Sequence, residues 1–337
     1  MISFTVFAFF LHDGYFILGV FEFCYVVLGE IVSSKFARRV RVFMREVGVS
    51  EELRGWNWDR GILSPPLKGV LLSVSDVAAR YCPTRRDVYL KYVEGVVVKP
   101  TLPMVEGRVY HNVISGVVLE VKRKLYSLGL VSGYELYESL VENCEALVRD
   151  IVLRNVRVLE EEPRSEDVER MVVRGVRLWK FLALQFAASV DRYVSVHGHL
   201  DVDSVVAEAV PHIVEYKIDG SPLGLSKELS VDVLYPGYTV VEVKTGSRQD
   251  FHRLYLAGYA LAFEADKEIP VNMGVLIYVR AGRSPTPFFK VEEYVVSDEL
   301  RREFIEARDE VFEIIENERD PGKPLRCYPY CPYYKYC

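Results

Sequence analysis

Leu229-Ser-Val-Asp232-Val-Leu-Tyr-Pro236-Gly237-Tyr-Thr-Val-Val-Glu242-Val-Lys244-Thr-Gly246 is the most informative stretch of this 337-residue chain. It reads as two strands about a Pro236-Gly237 turn, because apolar, mostly β-branched residues flank a turn dipeptide on both sides. Side chains two apart on a strand share a face, so Glu242 and Lys244 point the same way. Whether Asp232 joins them depends on the turn. A two-residue loop pairs Asp232 with Val241 and puts Glu242 on the opposite face, whereas a three-residue loop with Gly237 left-handed restores the match. Convergence of the three side chains therefore requires the longer loop. Two carboxylates would hold Mg2+ or Mn2+, the ion would lower the pKa of a bound water, and a lysine could orient that water and meet developing negative charge. The plainer alternative is a surface hairpin with alternating charges. Asp-x9-Glu-x-Lys-Thr-Gly within β-rich sequence, followed by a helical pattern, favours chemistry.

Outward from this hairpin the period changes. Tyr193 to Val206 and Pro211 to Ile218 read as strands before it; a helix is expected from about Gln249 to Ala265, strands at Val271–Arg280 and Pro287–Val296, and a helix at Asp298–Glu318. Upstream, residues 104–128, 134–159 and 166–190 have helical spacing, and Ser73 or Ser75 could cap a short helix running through Tyr81. Helices followed by a mostly antiparallel sheet with one embedded helix give an α/β core behind a helical cap. The expected divisions are 1–43, an apolar extension; 44–103, an N-terminal arm; 104–192, a helical region; 193–297, the core; and 298–337, a last helix and cysteine-rich tail.

Composition is that of an ordinary globular protein, 50% apolar and 27% charged. A net charge of −6 argues against a generic basic nucleic-acid coat protein. Two glutamines and six asparagines among 42 basic and 48 acidic residues form a thermophile-like balance. Residues 1–32 are very apolar, but Asp13, Glu22 and Glu30 interrupt them, and no basic start or small-residue cleavage site is visible. The basic stretch Lys35–Arg45 that follows keeps a membrane anchor as an alternative; the favoured reading is a dispensable extension ahead of a start at Met44, without membrane attachment.

Six cysteines are present. Cys24 and Cys144 stand alone, while Cys327, Cys331 and Cys337 crowd the last eleven residues and Cys82 lies far upstream. Several thiolates sharing one centre suit an iron–sulfur cluster; zinc, which favours paired knuckles, and disulfides remain alternatives. A shared centre would close a loop of 245 residues from Cys82 to Cys327, worth about 5 kcal/mol of closure entropy, and clamp the tail onto the segment before the core. A second polar stripe, His197, His199, Asp201 and Asp203, alternates and would share one face of a strand, so Asp201 is a rival to Asp232. Arg85, Arg86 and Lys122-Arg123-Lys124 are local basic groups that could meet phosphate or simply face solvent, and the abundant tyrosines could stack on single-stranded bases.

Four ordered pieces resemble one family. Tyr81-Cys82-Pro-Thr-Arg85-Arg86, Gly107-Arg-Val-Tyr-His111, Gly224-Leu-Ser through Asp232 to Glu242-Val-Lys244-Thr-Gly, and the terminal cysteines are similar to the CRISPR-associated iron–sulfur exonucleases, the "Cas four" family in its archaeal "Csa one" branch. The resemblance covers about residues 70–337 and implies a PD-(D/E)xK, restriction-endonuclease-like mixed sheet flanked by helices, of the RecB-like kind. It implies that His111, Asp232, Glu242 and the Val243 carbonyl hold Mg2+ or Mn2+, that Lys244 is the catalytic lysine, and that Cys82, Cys327, Cys331 and Cys337 hold a [4Fe-4S] cluster of structural role. Tyr259 matches the tyrosine of the family's Gln-x3-Tyr motif, whereas Tyr255 stands where that motif has glutamine. The implied function is a cytoplasmic, metal-dependent deoxyribonuclease trimming single-stranded or end-frayed DNA for spacer acquisition, partnered by the CRISPR integrase and its small companion subunit. A non-catalytic iron–sulfur DNA-binding subunit and a zinc-stabilised interaction protein are the competing expectations.

Overall fold

The structure is a computed structural model that describes residues 32–197, 201–282, 284, 286–327 and 331–337. Helix α1 (Ser34–Glu46) starts on the Ser33 cap, and it runs across the expected division at residue 43; the extension before residue 32 lies outside the described residues. An arm of 3-10 turns leads to α2 (Val74–Ala78), where Ser73 and Asp76 form a reciprocal capping box, and to α3 (Arg86–Tyr92). The helical region comprises α4 (Leu102–Leu128), α5 (Gly133–Val141), α6 (Cys144–Val156) and α7 (Ser165–His197), followed by α8 (Val202–Ala209). The sheet strands are β1 (Ile213–Ile218), β2 (Leu229–Tyr235), β3 (Thr239–Lys244), β4 (Met273–Arg280) and β5 (Phe288–Val295), with α9 (His252–Lys267) between β3 and β4 and α10 (Asp298–Asn317) after β5. Among the described residues no helix is long and apolar enough to cross a membrane.

The five strands lie in chain order, all antiparallel except the parallel pair β3–β4 that α9 connects. Both faces are covered, which is why β3 and β4 read as near-continuous apolar runs. Val241, Val243, Val275, Ile277 and Val279 enter a core shared with α4 to α8. Val240, Leu276 and Tyr278 enter a second core shared with α2, α9 and α10.

Two expectations change. Residues 193–206 are not a strand: α7 continues to His197, and Asp201 caps α8 by accepting the Ser204 amide at 2.7 Å. The capping carboxylate satisfies an otherwise orphan donor, and Val205, Val206 and Ala209 bury one helical face, which outweighs the period-two alternation of the polar residues. The stretch 134–159 is two helices, broken at Glu142 and Asn143.

The arm is fastened to the core through one buried anion. Glu264, fully buried on α9, accepts from Arg54 (2.7 Å) and Arg301 (2.7 and 2.9 Å), and from the Gly55 and Val271 amides (2.9 Å each). Arg301 also donates to the Leu53 and Val271 carbonyls, so arm, α9 and α10 share one network. Removing one partner of such a pair leaves uncompensated buried charge. Glu264→Gln is therefore expected to destabilise the protein by about 3–5 kcal/mol in urea unfolding; a loss under about 1 kcal/mol would show that this network does not hold the arm.

Candidate active site

The β2–β3 hairpin closes through residues 236–238, with Tyr235 opposite Thr239, Gly237 at φ 76° and Tyr238 at φ 53°. This is the three-residue loop that convergence requires, and glycine supplies the left-handed position at little steric cost. Bridging between the strands runs from Tyr235↔Thr239 to Val233↔Val241 and stops there, although β3 continues to Lys244 and β2 begins at Leu229. One register step beyond the last pair, Asp232 faces Glu242. The Val243 amide, without a strand partner on β2, donates to Asp232 Oδ2 at 2.8 Å. The carboxylate thus replaces a lost ladder bond and is fixed by doing so.

Helix α4 delivers the third group. His111 Nδ1 lies 3.3 Å from Asp232 Oδ1. One turn earlier, a Cβ on Gly107 would sit 2.9 Å from Thr245 Oγ1, so the glycine admits α4 to close approach at the end of β3. Glu242 is 5% exposed; its Oε1 accepts from Lys244 Nζ at 2.7 Å, and its Oε2 is buried with no hydrogen-bond partner among the described residues. Lys244 Nζ also stands 3.2 Å from the centroid of the Tyr255 ring on α9. The tyrosine at the glutamine position therefore holds the ammonium through its π face, an interaction worth about 2 kcal/mol when desolvated. Tyr259, one turn further along α9, is half-buried.

The charges are mutually dependent. Burial, with Asp232 close by, pushes the Glu242 carboxyl up to about 7. Burial would also raise Asp232, but the facing His111 charge and hydrogen bond, the Val243 amide and Lys244 outweigh it, and its carboxyl lies below the ordinary value. Burial disfavours the His111 cation, yet the Asp232 carboxylate reverses this and raises the imidazole. Lys244 is likewise raised, burial being outweighed by Glu242 and the Tyr255 hydroxyl. Tyr259 is driven well above the ordinary tyrosine value by burial and by Glu242 and Asp232, so its hydroxyl stays a donor.

A buried carboxylate oxygen is costly unless a donor or a cation meets it. A divalent cation fits that need: Glu242 Oε2 and Asp232 are hard oxygen donors, His111 supplies nitrogen, and Val243 adjoins Glu242 with its amide on Asp232. Among the described residues no three His, Cys, Asp or Glu side chains are already drawn in to ligand spacing; Lys244 holds Glu242 Oε1, which leaves Oε2 for a cation.

Cys82, Cys327, Cys331 and Cys337 line one small cavity together with Tyr81, Asp87, Pro324 and Tyr333. The tail is docked there by Thr84 Oγ1 on the Gly322 carbonyl (2.8 Å) and by a two-pronged Arg86–Asp320 pair (2.8–3.1 Å). The Cys331 thiol is raised by burial and by the neighbouring Cys82 and Cys337. Four soft donors about one cavity fit an iron–sulfur cluster. Cys144 is buried in the first core, away from this set, and Cys24 is outside the described residues.

The rival stripe does not assemble. Asp201 is spent as a helix cap, Asp203 accepts from Tyr126, His197 ends α7, and His199 is outside the described residues. Of the basic groups, Arg85 is 2% exposed and donates to the Ala79, Asp76 and Val77 carbonyls, so it braces α2 and meets no phosphate. Lys122 donates to the His212 carbonyl (2.6 Å), and Arg123 pairs with Glu120. Two nearby residues escaped the sequence reading. His252 is buried between the Tyr81 hydroxyl (3.2 Å) and the Tyr278 hydroxyl (3.1 Å); burial and Lys244 lower it to about 4, so it is neutral. Glu215 sits mid-strand at φ 52°, accepting from Ser115 and Ser230. No spacing rule flags either one.

A sequence-family profile described as CRISPR-associated exonuclease Csa1 matches residues 27–337. A protein of Thermoproteus tenax named CRISPR-associated exonuclease Csa1 is 33% identical over 306 residues, 90% of this chain and 97% of that one. A Saccharolobus solfataricus protein of the same name is 34% identical over 291 residues, 86% of this chain and 92% of that one. With these matches over most of its length, the chain belongs to the CRISPR-associated exonuclease Csa1 family.

Proposed function

We propose that this chain is a Mg2+- or Mn2+-dependent DNA exonuclease of PD-(D/E)xK type that trims DNA ends for CRISPR spacer acquisition. The observation that supports it most is the buried, partnerless Glu242 Oε2 opposite Asp232, with Lys244 held beside them. Asp232, Glu242, His111 and the Val243 carbonyl would hold the cation, which supplies charge neutralisation at a scissile phosphate and a water of lowered pKa. Lys244, kept protonated by its anionic surroundings, meets charge developing on the phosphate and positions the attacking water. The Tyr255 ring would help hold the ammonium in place with a cation on Glu242 Oε2. Tyr259, a hydroxyl donor at neutral pH, is placed to bind a phosphate oxygen. Burial of Glu242 and Lys244 between the sheet and α9 keeps bulk water from screening these charges.

We assign the four-cysteine cavity to a [4Fe-4S] cluster that secures the tail. The partners in this reading are single-stranded or end-frayed DNA, the CRISPR integrase and its small companion subunit, in the cytoplasm. The Lys244–Tyr255 contact favours catalysis over a purely DNA-binding role, because the departure from glutamine leaves the lysine held rather than loose.

Cleavage of end-labelled DNA with Mn2+ tests the site. Lys244→Ala and Glu242→Ala are each expected to lose at least about 100-fold in rate. Tyr255→Phe keeps the π face and should stay near the parent, while Tyr255→Leu should lose about tenfold in kcat with little change in KM. Undiminished cleavage by Glu242→Ala would contradict the assignment. Anaerobic purification should yield a brown protein with about four irons per chain, and Cys331→Ala should lower both iron content and melting temperature; a colourless protein holding zinc and no iron would contradict the cluster.

A further inference from the structure

Helix α1 is the most strongly cationic element that the proposed chemistry leaves unused. It carries Lys35, Arg38, Arg39, Arg41 and Arg45 against one acid, Glu46. All five cations are exposed, whereas Phe36 and Val40 are 1% and 5% exposed. The spacing of Lys35, Arg38, Arg41 and Arg45 gathers them on one face, opposite Phe36 and Val40, along about 15 Å of helix. Among the described residues none of these four has an ion-pair partner, and neighbouring like charges on the helix repel. Arg39 is occupied differently: it stacks on the Phe36 ring (5.0 Å) and donates to the Glu293 carbonyl (3.4 Å).

The helix is anchored to the sheet. The Ser33 amide donates to Glu293 Oε1 at 2.8 Å, and Glu293 on β5 is in register with Val275 on β4, which is in register with Val241 on β3. Two strand spacings, about 10 Å, separate this anchor from Val241, whose side chain points to the face opposite the neighbouring Glu242. A lipid surface is the other polyanion that a basic amphipathic helix can bind, but it does so by inserting the apolar face. Here that face is already buried, and only the cationic face is free.

From the exposed cations gathered on one face of a helix whose apolar face is already buried, and from its anchorage on β5, we infer that α1 is a phosphate-backbone track that holds DNA along the α4–α8 side of the sheet. This rests on the nuclease reading of the β2–β3 cleft, but its test does not require cutting. In EDTA, fluorescence anisotropy with a labelled DNA strand measures affinity across salt concentrations. The triple variant Arg38→Ala, Arg41→Ala, Arg45→Ala should bind at least about tenfold more weakly at 0.1 M salt, and its log–log salt slope should be shallower by about 2–3. The corresponding triple lysine variant should keep affinity within about twofold, since a phosphate track reads charge. Glu242→Gln should bind as the parent does while failing to cut, which separates this inference from the assignment of the cleft. Circular dichroism should show the triple alanine variant melting as the parent does, because the side chains are exposed and unpaired. An unchanged affinity and salt slope in a folded triple variant would overturn the inference. So would loss of binding to phosphatidylserine vesicles with DNA binding intact.

Discussion

The hydrogen bond from the Val243 amide to the Asp232 carboxylate, 2.8 Å long, stands where a backbone partner on β2 would stand in an unbroken ladder. Strand parting normally strands buried donors. Here the donor is met by a side chain, so the two strands part without orphaning the Val243 amide. The remaining cost falls on Glu242, whose second oxygen has no partner. Histidine, lysine and tyrosine converge on the same opening because the sheet no longer fills it.

Covering elements lie on both sides of that opening. On one face α4 reaches it through Gly107, with His111 one turn on. On the other, α9 carries Tyr255 under Lys244 and begins at His252, which touches Tyr81 beside Cys82. The four-cysteine cavity and the cleft are thus joined through Tyr81, His252 and α9. Arm, tail and sheet form one continuous packing: Glu264 ties the arm to α9 and α10, and Arg86 with Thr84 ties the tail to α3.

Much of this was legible in the residues. Glu242 and Lys244 share a face by strand period alone, and the demand that Asp232 join them forced a three-residue loop, which the left-handed Gly237 and Tyr238 provide. The terminal cysteines and Cys82 do line one cavity. What period could not reveal was competition from capping: the alternating Asp201 and Asp203 looked like a strand face, yet one capping bond and a buried helical face decided otherwise. Arg85 read as a surface cation because a guanidinium buried among backbone carbonyls leaves no trace in spacing. The role of Tyr255 was hidden for a similar reason, since a π face under an ammonium depends on how α9 docks on β3.

Calorimetric titration of the metal-free protein with Mn2+ measures whether Asp232 and Glu242 hold a divalent cation. One ion per chain is expected, with affinity rising as pH increases from about 6 to about 8. Binding requires the Glu242 carboxylate, and the buried acid, raised to about 7, must release its proton to provide it. Asp232→Asn should abolish that binding. Binding with no pH dependence, or unaffected by Asp232→Asn, would contradict the account.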